Sequence, residues 1–322
     1  MKVVYLIPIL IVLAGCVSDA PHDNPLDARN GSADLSLNGQ VLTYYPPYRP
    51  VAEAEVILLP ENRLAFCDEQ GNFAFKNLSP GSLQLVARAQ GFAPDTLSLQ
   101  LTDSQTKNIH LDGLPELRSV SIRSHHLARW FPVEDAYYLE IQVKATDPDG
   151  IGDVQTVYYS IADLNFADTL IARAQPGWFE KMIAQKDLPV TNLSQIIGKT
   201  FDFTVTDQPG HHINSGGYFL PRIIEQTPQL TSPVGLENVS SDTIRFEWQK
   251  VYLNYDFSFK IELFQINLGV FTLITTIEDI PSTESSYTFT AGLPAGQYFW
   301  RVYIVDEFGD TSGSKEAAFQ VP

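Results

Sequence analysis

By type and spacing, the residues best placed to do chemistry are two cysteines, two histidine pairs, a set of aspartates and a tyrosine-rich stretch. Cys16 follows an apolar run, Val3 to Ala14, and two small residues, Ala14 and Gly15. A thiol is a strong nucleophile once deprotonated, and small neighbours let a modifying enzyme reach the backbone. Cys67, in "RLAFCDEQG" at a strand end, reads as a buried or half-buried structural thiol. With Cys16 alkylated, Cys67 has no partner within the chain, and apolar cores must hold the fold without a disulfide. The pairs His125-His126 and His211-His212 are of a metal-ligating type. Adjacent residues on a strand point to opposite faces, so neither pair chelates from one strand; they read as turn or edge histidines. Asp147, Asp149 and Asp153 lie within seven residues and offer the hard oxygen donors that Ca²⁺ takes. Ile151 and Gly152 interrupt the set, which lacks an EF-hand's ligand succession, and a plain acidic turn is the other reading. Tyr44, Tyr45 and Tyr48 stand among prolines in "TYYPPYRP". Stiff amphipathic aromatics suit sugar rings or Pro-rich peptide, and the other reading has them covering a sheet edge.

None of these sets forms a catalytic constellation. The chain has no Gly-rich phosphate loop, no His-Glu-x-x-His and no Gly-x-Ser-x-Gly. Without a base positioned beside it, a serine or aspartate is not an activated nucleophile. A formal charge of −17 over 322 residues repels nucleic acid and anionic lipid headgroups.

The elements that must position these residues are strands. "YLEIQVKA" (138–145), "TFDFTVT" (200–206), "TIRFEWQKV" (243–251), "FSFKIELFQI" (257–266) and "FWRVYIV" (299–305) alternate apolar and polar residues. No window shows a long apolar stripe at helical spacing, so the chain is expected to be all-β. Asp-x-x-Gly recurs at Asp68–Gly71, Asp147–Gly150, Asp207–Gly210 and Asp306–Gly309, each after a strand-like run. Aspartate opens a type I turn and glycine tolerates the left-handed close, so all four are expected to be hairpin corners. At about 100 residues per sandwich, the length fits three β-sandwiches in tandem. "GWFEKMIAQKDL" (177–188) reads equally as a short helix or as a strand with a turn.

The run before Cys16 is shorter than the ~20 apolar residues that span a bilayer. Lys2, the apolar run and Leu13-Ala14-Gly15-Cys16 resemble the bacterial lipoprotein signal, the lipobox, in which the chain is cut before a lipid-bearing cysteine. The resemblance implies a signal peptide over 1–15, membrane attachment through Cys16 and a cell-envelope location. Val17 and Ser18 follow, with no aspartate directly after the cysteine, which by resemblance to Gram-negative lipoproteins implies the outer membrane. Residues 16–32 are polar and Pro/Gly-containing and read as a tether, with His22, Asp23 and Asp27 as solvated linker residues rather than a metal site.

Three module resemblances follow. Residues 33–113 carry Gly39-Gln40-Val41, Asp68-x-x-Gly71-x-Phe73-x-Phe75, Leu78-x-Pro80-Gly81 and Gly91-Phe92 and resemble the carboxypeptidase regulatory-like domain. That family name implies a small transthyretin-like sandwich and no peptidase activity. Residues 114–226, with "YLEIQVKATDPDGIGDVQTVYYSI" and "TFDFTVTDQPGHHINSG", resemble Ig-like domains of bacterial surface proteins. Residues 227–322 resemble fibronectin type III: Trp248 is a core plug, and Leu293, Pro294 and Tyr298 follow the tyrosine-corner pattern. The expectation is a non-enzymatic, lipid-anchored spacer and binding module for protein partners in an envelope assembly or adhesion. The alternatives are a carbohydrate-binding lipoprotein of a glycan-uptake system and an accessory or cryptic hydrolase.

Overall fold

A computed structural model describes residues 35–290 and 292–322. Cys16 and the 16–32 tether lie outside the described residues. The fold is all-β: besides strands, the described residues form only four short 3₁₀ turns. Two compact units divide at residues 112 and 113.

The first unit is a sandwich of two four-stranded sheets. In one, Leu35–Thr43 pairs antiparallel with Asn72–Leu78 and parallel with the short strands Gln105–Thr106 and Ile109–Leu111. In the other, the order is Arg63–Phe66, Glu55–Leu59, Gly81–Arg88, Asp95–Leu101. Alternate residues face inward, as the pleat requires: Leu37, Val41, Val56, Leu58, Phe73, Phe75 and Leu85 form one buried cluster. Cys67 is buried beside it and is a free thiol; burial, with Asp68 adjacent, pushes it up to about 11.

The second unit holds two apolar cores joined by one sheet. In the first core Tyr159 stacks on Phe201 and meets Phe203 at a tilt, in one cluster with Leu139, Ile141 and Val143. Its second sheet runs Phe166–Thr169, Val154–Ile161, Phe201–Asp207, His212–Tyr218. The stretch 177–188 resolves into the strand Trp178–Ala184 followed by a 3₁₀ turn over Gln185–Asp187. The second core packs Phe246, Trp248, Phe259, Trp300 and Phe319, with Phe246 and Trp300 ring centres 4.6 Å apart. Tyr298 is fully buried, and its hydroxyl donates to the Pro294 carbonyl at 2.8 Å, which is the tyrosine-corner bond.

The joining sheet has ten strands. Glu116–Leu127 of the first sandwich pairs antiparallel with Ala136–Thr146 on one side. On its other side it pairs parallel with Thr311–Gly313, which also pairs with Gly296–Asp306 of the second sandwich. The last strand of the chain is thus broken at Ser314. Thr311–Gly313 faces the neighbouring sandwich, and Ala317–Val321 stays within its own. At the break, the Ser314 amide donates to the Val302 carbonyl and its hydroxyl accepts from the Val302 amide, so both backbone groups of Val302 stay paired across the interruption.

The turns correct one expectation. Asp207–Gly210 and Asp306–Gly309 close hairpins between paired strands. Asp68–Gly71 and Asp147–Gly150 instead lead from one sheet of their sandwich to the other. The local chemistry is the same in both roles. Asp68 Oδ1 accepts from the Gln70 and Asn72 amides, and all four glycines have positive φ. A four-residue turn fixes a local reversal, and pairing across it is decided by which faces the flanking strands bury.

Candidate functional site

The histidine pair 125–126 sits at the seam of the two sandwiches, on an interior strand of the ten-stranded sheet rather than at a turn or edge. This corrects the sequence expectation, because the covering strand comes from residues 311–313 and carries no local signal. As adjacent strand residues must, the two rings diverge. His125 reaches Thr311 Oγ1 at 2.8 Å and Glu140 at 3.0 Å. His126 is buried, stacks on Tyr137 with centres 4.3 Å apart, and contacts Asp135 through Nε2 at 2.9 Å.

Ser312 Oγ lies 3.1 Å from His126 Nδ1, so Ser312, His126 and Asp135 make the contacts of a serine-hydrolase relay. The chemistry does not follow. His126 Nδ1 also lies 3.1 Å from the Ile224 carbonyl; a carbonyl only accepts, so in that bond Nδ1 holds the proton and cannot take one from Ser312. Ser312 is fully buried as well, which leaves no route for a substrate carbonyl. The trio is a joint. Around it Asp310 Oδ1 accepts from the Ser124 amide and hydroxyl at 2.5 and 2.9 Å. Burial pushes Asp310 up to about 6, against the lowering effect of the Ser124 bonds.

Of the aspartates singled out in the sequence, Asp147 and Asp153 come together with Asp207. Asp147, Asp153 and Asp207 each place one carboxylate oxygen within 4.8 Å of the other two. Asp207 comes from the late hairpin and was read in sequence only as a turn residue; nothing local ties it to Asp147. Asp149 Oδ2 accepts from the Gly113 amide at 2.7 Å. Gly113 permits that approach, since a Cβ there would meet Asp147 Oδ1 at 2.7 Å. Asp207 is fully buried, with Oδ1 accepting from the Gly210 amide and Oδ2 3.5 Å from His211 Nδ1. Burial first, then the charges of Asp153, Asp149 and Asp207, push Asp147 up to about 7. The cluster is a concentration of negative charge that a proton relieves, and its oxygens are of the type a hard divalent cation takes.

Tyr44, Tyr45 and Tyr48 occupy an irregular loop of the first unit, with Tyr44 and Tyr48 about half exposed. Tyr44 and Tyr45 meet edge to face, and Tyr48 packs on the His110 ring at 4.9 Å. His110 is itself fixed to the Thr43 carbonyl. The loop is held in shape, but its rings form no common platform.

A feature absent from the sequence reading is a cleft of about 430 Å³ in the second unit, lined by Trp130, Leu230, Val234, Leu236, Lys315 and Ala317, among others. Trp130 is 62 % exposed, yet its Nε1–H donates to the Glu316 carbonyl at 2.8 Å, and the Lys315 ammonium sits 4.5 Å from its ring centre. An exposed indole held at its polar edge is a fixed apolar wall. Phe131, next in the chain, is 89 % exposed. "RWFPVED" carries the signal of a surface aromatic pair, but the opposite wall is about 100 to 190 residues away.

Residues 36–112 match the family model of the carboxypeptidase regulatory-like domain. No curated protein matches the chain. Among solved structures, the FN1–FN3 domains of chicken CNTN1 are similar at 11 % identity, over 90 % of this chain and 96 % of that one, with a TM-score of 0.34. The fibronectin(III)-like modules of Clostridium thermocellum CbhA are similar at 14 % identity, over 65 % and 93 %, with a TM-score of 0.30.

Proposed function

We propose that the chain is a non-catalytic binding protein of the cell envelope, acylated at Cys16 and attached through it to the outer membrane, that docks an envelope protein at the Trp130 cleft. The observation that supports this reading is the cleft itself. It lies where two sandwiches share a sheet, it is walled by an immobilised indole and aliphatic side chains, and its volume falls in the range of ligand sites. Trp anchors in fitted pockets contribute a disproportionate share of interface energy. The lipobox resemblance supports the anchor; acyl chains contribute about 0.8 kcal/mol per buried methylene.

A photo-crosslinking residue at Phe131, introduced in the native cells, tests the docking reading. A discrete adduct with one envelope protein, lost in Trp130→Ala and absent from a probe at Tyr252, is expected. Binding on a glycan array that is lost in Tyr44→Ala/Tyr45→Ala, with no adduct at 131, would establish the carbohydrate alternative instead. Mass spectrometry of the same material reads the anchor separately, as acyl mass on Cys16.

A further inference from the structure

At the far end of the ten-stranded sheet from the Trp178–Ala184 side lies the strand Val270–Pro281, which among the described residues is paired with Phe257–Asn267 on one side only. Its outer edge runs regularly from Val270 to Leu273, is bulged at Ile274, and ends in a second irregularity at Glu278-Asp279 before Pro281. Edges of this length are ordinarily blunted with lysine, proline or other charge. From Leu268 to Ile277 this one carries no ionisable side chain at all, within a chain of charge −17. Leu268, Val270, Phe271, Leu273 and Ile274 are all exposed, Leu268 almost completely. Leu268 also holds φ +50° in the two-residue turn Leu268-Gly269, a position where asparagine or glycine is the unstrained choice.

We propose that this edge pairs with the same edge of a second copy of the chain, antiparallel about a two-fold axis normal to the sheet. Charge singles out this occupant and this place. Two copies of so acidic a chain repel over most of their surfaces, and the neutral run is the stretch that opposes itself without like charges. Face matching agrees. Phe271 and Leu273 pair with Ile266 and Phe264, on the face where Phe264 stacks on Phe299 at 4.6 Å and Phe271 meets Phe299 edge to face. A two-fold axis normal to the sheet keeps that face on the same side in both copies, so the two aromatic layers become continuous.

Single cysteines at Val270, Thr272, Ile274 and Thr276, oxidised in intact cells expressing the full chain, test the pairing. Expected is a crosslinked species of twice the chain's mass whose yield peaks at one position and falls on either side, as a fixed antiparallel register requires. A cysteine at Tyr252 should give none. Leu273→Lys, an exposed position that leaves the core untouched, should lower the peak yield about tenfold or more by opposing like charges across the axis. Val270→Lys serves as a second variant, with circular dichroism confirming that each is folded. Absence of a dimer at all four positions, equal yields at all of them, or crosslinks only to a protein of different mass would overturn the proposal. So would binding of the monomer to phosphatidylcholine vesicles through Leu268 and Phe271. The Trp130 adducts are read independently and stand or fall by themselves.

Discussion

Asp147→Asn should make the protein more stable at neutral pH. The carboxyl sits among Asp149, Asp153 and Asp207 and is held up near 7 from an ordinary 3.8. The folded chain therefore keeps this proton to a higher pH than the unfolded chain does. Between about pH 4 and pH 7 the native state binds more protons, so stability falls as pH rises through that window and is flat above it. A difference of this size amounts to at most ~4 kcal/mol. Partial solvent access to the group reduces it to about 2 kcal/mol. Asparagine keeps the Oδ1 acceptor for the Asp149 amide, now at 2.8 Å, and removes the charge. For a unit of this size, 2 kcal/mol corresponds to a Tm increase of about 4–8 °C at pH 7.5, shrinking towards zero at pH 4. Calorimetry across that range, with EDTA present so that no cation neutralises the cluster, measures both slopes. Parallel pH profiles, or a variant no more stable than wild type at pH 7.5, would refute the electrostatic account of this turn.

Three further outcomes are expected. Tyr298→Phe removes the hydroxyl that bonds the Pro294 carbonyl and should cost about 1–2 kcal/mol in denaturant titration. Asp310→Ala leaves the Ser124 amide without its buried acceptor, while the hydroxyl keeps the Arg222 carbonyl; a loss of about 2–3 kcal/mol is expected in calorimetry, with two transitions from the second unit of the variant against one from wild type. Peptide mapping after iodoacetamide treatment at pH 8 should find Cys67 unmodified in the native chain and fully alkylated in denaturant, since its thiol is buried and pushed up to about 11.

What could be read from sequence divides along the range of the interaction. Period-two alternation exposed strands such as Phe257–Asn267 and Gly296–Asp306 because each residue's face is set by its neighbours. The tyrosine corner was legible because Pro294 and Tyr298 are four residues apart. The seam was not: His125 meets Thr311 across 186 positions, and parallel pairing at that separation leaves no local mark on either strand. The same limit placed the 125–126 pair at an edge and hid Asp207's approach to Asp147. It also kept from view the cleft that Trp130 forms with residues about 100 to 190 positions away.

The interruption at Ser314 makes the last two sandwiches poor candidates for recombination as separate parts. A fragment ending before residue 227 would present Glu116–Leu127 as a raw margin, with Ser124 and His126 facing water in place of Asp310 and Ser312. Its counterpart would carry a dangling tripeptide stave. Such a pair shares one sheet, and any insertion between the two must leave that borrowed stave within reach.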